Sequence, residues 1–254
     1  MKAQALPDTN RIIERLNQLT HKGGAYVERT DLEWRILGRD VEKLKAQDAA
    51  LGWGLYGSLM SIVGDHDEAE RGFRTSLQLG KGAIFMNNWV ASRVNLGYFT
   101  AAYSLAKEAS VPELGMTSDR LPFLLLTGGI NTADCYLKRA KDMNMDVVLP
   151  QAVMSIDEIS IATELLRQAE LTDEDLAAHL DLAGGVMRTR RQLFVGEQVV
   201  LVQHEEGVFS GITYVFPISG SAADIFELNC ELAEAESAQD IKRHPFFDVV
   251  FSVA

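Results

Sequence analysis

The chain has 254 residues, with 24 Lys+Arg against 36 Asp+Glu, a formal net charge of −12. At about 150 residues per domain, it is long enough for one large core or two small ones without a disulfide or metal staple. Two distant cysteines, Cys135 and Cys230, exclude a disulfide framework or a zinc-ligand cluster.

No apolar run approaches the roughly 18–20 residues of a membrane span, and Met1-Lys2-Ala3 leads into Asp8, Asn10 and Arg11 rather than an apolar signal core. The expected setting is therefore the cytoplasm, with no membrane contact. Ile12, Ile13 and Leu16 fall at helical spacing between Asn10 and Gln18, and Lys22-Gly23-Gly24 ends that helix. Thr30-x-x-Glu33 has the form of a capping box, opening a helix from Asp31 to about Gln47 with Leu37, Val41 and Leu44 inward.

One pattern then recurs three times: a glycine, an alanine five residues on, a filler four further, and a small residue three after that. The copies are Gly64, Ala69, Phe73, Ser76; then Gly97, Ala102, Ala106, Ala109; then Gly128, Ala133, Leu137, Ala140. Ala162, Leu166 and Ala169 form a partial fourth. The spacing predicts helical hairpins. Glycine takes the turn conformation, and the next three positions share one stripe of the second helix. A single hairpin cannot bury its own apolar face, so several must stack.

The stretch Trp53-x-x-Tyr56-Gly57-x-x-Met60-x-x-x-Gly64, followed by Ala69, Phe73 and Ser76-Leu77, resembles the tetratricopeptide repeat. The resemblance covers about residues 50–142. In the second copy Trp89 and Gly97 fit, but Arg93 replaces a large apolar residue; in the third, Arg120 and Pro122 interrupt the first helix. It implies a superhelical array whose first helices line a groove for a peptide or protein segment. In the second copy that helix runs from about Ile84 to Leu96 and carries Asn87, Asn88, Arg93 and Asn95. Amides offer donors and acceptors to a peptide backbone. Asn88 falls where the family commonly places a peptide-holding asparagine, and Arg93 would add a positive charge. Within the first copy, Gly52-Trp-Gly54-Leu-Tyr-Gly57 spells G-x-G-x-x-G but lacks the preceding strand of a dinucleotide site. Close helix packing is expected there, and no cofactor.

Residues 1–150 carry 18 Lys+Arg and 18 Asp+Glu, whereas residues 151–254 carry 6 and 18. That asymmetry places a domain seam near Leu149-Pro150, between a helical repeat domain (1–150) and an acidic α+β domain (151–254). The expected fold is thus mainly α, with a small α+β unit at the end.

Ser155-x-x-Glu158 is a capping box opening a helix through about Ala169, and Thr172-Asp173 start another that Gly184-Gly185 should interrupt. Val195 to His204 and Val208 to Phe216 read as a β-hairpin, broken by Pro217 and Gly220. Ser221 caps a helix from Ala222 to about Ser237, and Phe246 to Val253 form a last strand. The run from Asp175 to Arg191, with Ala178 and Val186, resembles a helix-turn-helix, and the hairpin after it would be the wing of a winged helix (172–216). Arg188, Arg190 and Arg191 would then meet DNA. The surrounding acid opposes it, since phosphate attraction supplies most of such affinity.

The five histidines (His21, His66, His179, His204 and His244) show no metal-ligand spacing, so no metal site is expected. The acidic side of the 222–237 helix, from Asp224 to Glu236, is a solvated surface or a docking face for a basic partner. The favoured reading is an adaptor or regulatory module that binds a peptide or protein. A DNA-binding regulator is the alternative, and an enzyme using His204, Glu205 or Tyr214 the second; self-association is left open.

Overall fold

The computed structural model describes residues 9–20, 24–108, 121–145, 147, 154–195, 198–205, 209–239 and 241–254. They contain eleven α-helices and three strands, and none of these helices is long and apolar enough to cross a membrane. The fold is mainly α with a small α+β portion at the end. It divides into two units, Met1–Leu96 with Arg190–Val195, and Gly97–Thr189 with Gly196–Ala254. The Leu149-Pro150 seam lies outside the described residues.

The first unit contains α1 (Thr9–Thr20), α2 (Leu32–Gln47), α3 (Ala49–Ser61), α4 (His66–Ser76) and α5 (Gly82–Asn95). Leu37, Val41 and Leu44 are buried as expected, but the cap of α2 is Asp31 rather than Thr30. The Asp31 carboxylate accepts from the Glu33 and Trp34 amides at 2.7 and 3.2 Å. A charged acceptor next to the first turn outcompetes a hydroxyl one residue earlier.

Helix α3 is the centre of this unit and packs against α1, α2, α4 and α5. Its three glycines face three neighbours. A Cβ at Gly52 would lie 2.5 Å from the Lys45 backbone of α2, one at Gly54 2.5 Å from the Phe85 ring of α5, and one at Gly57 2.9 Å from Phe73 of α4. Gly72 of α4 comes just as close to Gly57, since a Cβ added at Gly72 would lie 2.6 Å from the Gly57 nitrogen. The G-x-G-x-x-G stretch is therefore a helix-packing device. Ser76 completes the contact by donating to the Ala50 carbonyl at 2.8 Å.

The segment 190–195 belongs to this unit as a strap. Ala25 and Gln192 form an antiparallel bridge, and the amides of Tyr26 and Phe194 donate to Arg191 (2.9 Å) and Asn95 (2.9 Å) carbonyls.

In the second unit, α6 (Phe99–Glu108), α7 (Leu121–Leu126), α8 (Ile130–Asp142), α9 (Ile156–Ala169) and α10 (Asp173–Thr189) precede β1 (Val199–Glu205), β2 (Phe209–Ile218), α11 (Ala222–Ala238) and β3 (Phe247–Val253). The expected capping box is present at Ser155/Glu158, and Ser221, expected as a cap, forms a box with Asp224. β1 and β2 pair antiparallel from Val199↔Val215 to Glu205↔Phe209; β2 and β3 pair parallel from Ile212↔Phe247 to Ile218↔Val253. Pro217 does not break β2. The described pairing with β1 ends at Val215, and Pro217 keeps its place in the ladder with β3, opposite Ser252.

The repeat signature has a common backbone cause. Gly64, Gly97 and Gly128 take φ of +77°, +73° and +89°, and Ala69, Ala102 and Ala133 are all buried. The first and third turns share their hydrogen bonds. Gly64 N–H meets Ser61 O as Gly128 N–H meets Leu125 O, and Asp65 N–H meets Met60 O as Gly129 N–H meets Leu124 O. This is the paired bonding of a Schellman turn, which requires a left-handed residue. The second copy is divided: α5 belongs to the first unit and α6 to the second. Ala109 lies outside the described residues. Pro122 falls in the first turn of α7, where its missing N–H costs nothing.

Candidate functional site

The four side chains expected to hold a peptide lie on α5, and two of them serve the fold. The Arg93 guanidinium makes a two-pronged pair with Glu70 of α4, Nε to Oε1 at 2.7 Å and NH2 to Oε2 at 2.9 Å. Trp89 Nε1 donates to the same Oε1 at 2.7 Å, and the guanidinium lies over the Trp89 ring, 4.9 Å from its centre. Burial alone would raise the Glu70 carboxyl, but donation from Arg93 and Trp89 outweighs it and holds the group below its ordinary range. The charge of Arg93 is thus neutralised within the first unit.

Asn95 ties down the strap. Oriented with its NH2 toward acceptors, its amide donates to the carbonyls of Phe194 at 2.7 Å and Ala91 at 3.2 Å. Asn87 and Asn88 remain. Asn87 is half-buried and Asn88 exposed, on a helix whose packed side carries Phe85, Trp89, Val90 and Val94. Together they present adjacent amides, able to donate and accept along an extended chain.

The residues of the DNA-binding alternative are not brought together as a recognition helix. α10 runs unbroken from Asp173 to Thr189, so the expected interruption at Gly184-Gly185 is absent and no helix-turn-helix forms there. Gly184 is there for close approach: a Cβ at this position would overlap the Gly97 carbonyl oxygen. Arg188 donates to that same carbonyl, and its guanidinium is 4.3 Å from the Tyr98 ring centre. Arg190 and Arg191 lie beyond the helix in the strap, where Arg191 takes φ +54° and pairs with Glu28 at 3.1 Å.

The enzyme alternative gains no assembled site. Tyr214 is fully buried and donates to the Leu125 carbonyl at 2.7 Å, and burial pushes its hydroxyl far above the ordinary range. His204 and Glu205 belong to β1, and their side chains lie outside the described residues. Among the described residues, no group of three His, Cys, Asp or Glu could hold a metal. His179 is buried, with Nε2 2.8 Å from the Lys242 carbonyl and the ring edge-on to Phe247.

Two groups of polar residues escape a reading of the sequence. α10 carries Asp173 and Asp181 two turns apart. Asp173 accepts from the Asn131 and Thr132 amides at the start of α8, both at 2.9 Å, and Asp181 from the Phe99 amide at the start of α6, at 2.6 Å. The available signal is indirect: Gly129, preceding α8, has no side chain to cap it. Elsewhere, Lys45 places its ammonium 3.9 and 3.4 Å from the ring centres of Trp53 and Tyr56, with Glu42 at 2.7 Å. That corner is closed by the chain's own lysine.

Neither the family models, nor the curated proteins, nor the solved structures contain a match to this chain.

Proposed function

We propose that the first unit is a tetratricopeptide-like docking module that holds a peptide or protein segment along α5. The arrangement of α3 supports this, because it packs on α1 and α5 as well as on α2 and α4. First helices that neighbour one another in this way line one side of a stacked array. The single observation that carries the reading is the pair Asn87 and Asn88. Asparagine costs a few tenths of a kcal/mol in a helix relative to better formers. Arg93 and Asn95 repay their presence inside the fold, whereas Asn88 is exposed and Asn87 half-buried beside it.

The test is selection from a random peptide library on the full chain and on the Asn87→Ala/Asn88→Ala variant. Enriched peptides should bind the wild type and lose at least several-fold affinity on the variant, with far-UV circular dichroism unchanged. Equal affinities, or no enrichment on the wild type, would overturn the assignment.

A further inference from the structure

The outward face of α11 differs from the acidic helix that its composition suggests. Ile225, Leu228 and Leu232 are buried, and Asn229 seals the edge of β3: its amide donates to the Phe251 carbonyl and accepts from the Phe251 N–H, both at 2.9 Å. That fixes how the helix is turned against the sheet. At helical spacing along the side next to Asn229 run Ala222, Phe226, Cys230 and Ala233, all exposed. Phe226 is 70% exposed, more than any other large apolar residue described. A helix joining two parallel strands runs antiparallel to them. The Asn229–Phe251 register therefore brings Phe226 toward the end of β3, where Val253 is 55% exposed. Glu227, Glu231 and Glu234 line one flank of this stripe.

We propose that this face docks a basic amphipathic helix of a partner protein, with Phe226 as the anchor. Small residues on either side of Phe226 let another helix approach closely, and the three glutamates select Lys or Arg along its edge. A second copy of this chain fits poorly, because it would bring the same acidic flank against itself in a chain of net charge −12. The site lies in the second unit and is independent of Asn87 and Asn88.

The probe is a fluorescein-labelled amphipathic Leu/Lys helical peptide added to the full chain, with a Leu/Glu peptide of the same pattern as control. The Leu/Lys peptide should bind and the control should not. Phe226→Ala should weaken binding about tenfold, and Glu227→Gln/Glu234→Gln several-fold with a shallower salt dependence. Both exposed cysteines report position: saturating peptide should slow alkylation of Cys230 and leave Cys135 unchanged. Binding that ignores Phe226→Ala, or that protects both cysteines or neither, would mean diffuse attraction to acid and would overturn the proposal. Concentration-dependent dimers that themselves protect Cys230 would also overturn it, in favour of a second copy.

Discussion

Asp173→Ala is the sharpest test of the way α10 organises the second unit. The side chain is 4% exposed and accepts four hydrogen bonds: Asn131 N–H and Thr132 N–H at 2.9 Å, the Thr132 hydroxyl at 2.7 Å and the Tyr103 hydroxyl at 3.3 Å. Loss of a helix cap costs about 1 kcal/mol, and each buried donor left without a partner about 1–3 kcal/mol more. The hydroxyls can turn elsewhere but the two amides cannot, so the expected loss is roughly 3 kcal/mol or more. For a unit of this size that lowers the melting temperature by about 6–12 °C. Asp175, two residues on, is the internal control: it is half-buried, accepts from the Thr172 amide and hydroxyl and caps its own helix. Asp175→Ala should cost about 1 kcal/mol.

Trp34, Trp53 and Trp89 all lie in the first unit. Urea unfolding of the second unit should therefore be followed by far-UV circular dichroism rather than tryptophan fluorescence, with amide exchange read at Asn131 and Thr132. If Asp173→Ala costs no more than Asp175→Ala, or leaves those two amides as protected as before, the cross-helix cap is wrong.

Glu70→Gln should cost about 2–3 kcal/mol at pH 7, because it leaves Arg93 in a half-closed site without its counter-charge. The folded Glu70 carboxyl titrates below its unfolded value of about 4.3, so its contribution is complete above that value and lost as pH falls through the folded one. Urea midpoints of wild type and variant should accordingly converge as pH falls below about 4, and a constant gap would refute the pair's role. Gly72→Ala should destabilise by roughly 1–3 kcal/mol, since its Cβ would meet backbone of Gly57 at 2.6 Å, whereas Gly38→Ala, whose Cβ meets only Leu59 at 3.8 Å, should stabilise by about 0.4–1 kcal/mol. Thermal unfolding of the two variants checks the sign of each change.

What the sequence displays plainly is whatever its neighbours within a few residues decide. The boundaries of α1 and α2, the boxes at Ser155 and Ser221, and the hairpin are local, and so are the left-handed turns at Gly64, Gly97 and Gly128. The misreadings concern residues whose partner is far along the chain. Gly184 has the same composition whether it breaks a helix or admits another backbone, and only Gly97, 87 positions earlier, decides. Arg93 has the same charge on a groove as in a core, and Glu70 decides. Arg190 and Arg191 continue a basic run in sequence yet leave the helix, because Ala25 and Gln192 pair.

The acid excess of the last 104 residues takes on a different meaning once its partners are known. Five of its eighteen carboxylates sit at helix N-termini: Glu158, Asp175 and Asp224 close the boxes of their own helices, and Asp173 and Asp181 cap α8 and α6. A negative group there is favoured by the helix dipole as well as by hydrogen bonding, so these charges stabilise rather than repel. Glu164 is held down to about 2, chiefly by the hydrogen bond from Arg167, and Glu174 pairs with Lys107. Glu227, Glu231 and Glu234 line one flank of α11 beside Phe226. Net charge alone would spread a repulsive field over the whole unit. Three glutamates in a row beside an apolar anchor are an arrangement that favours a basic partner over an acidic one.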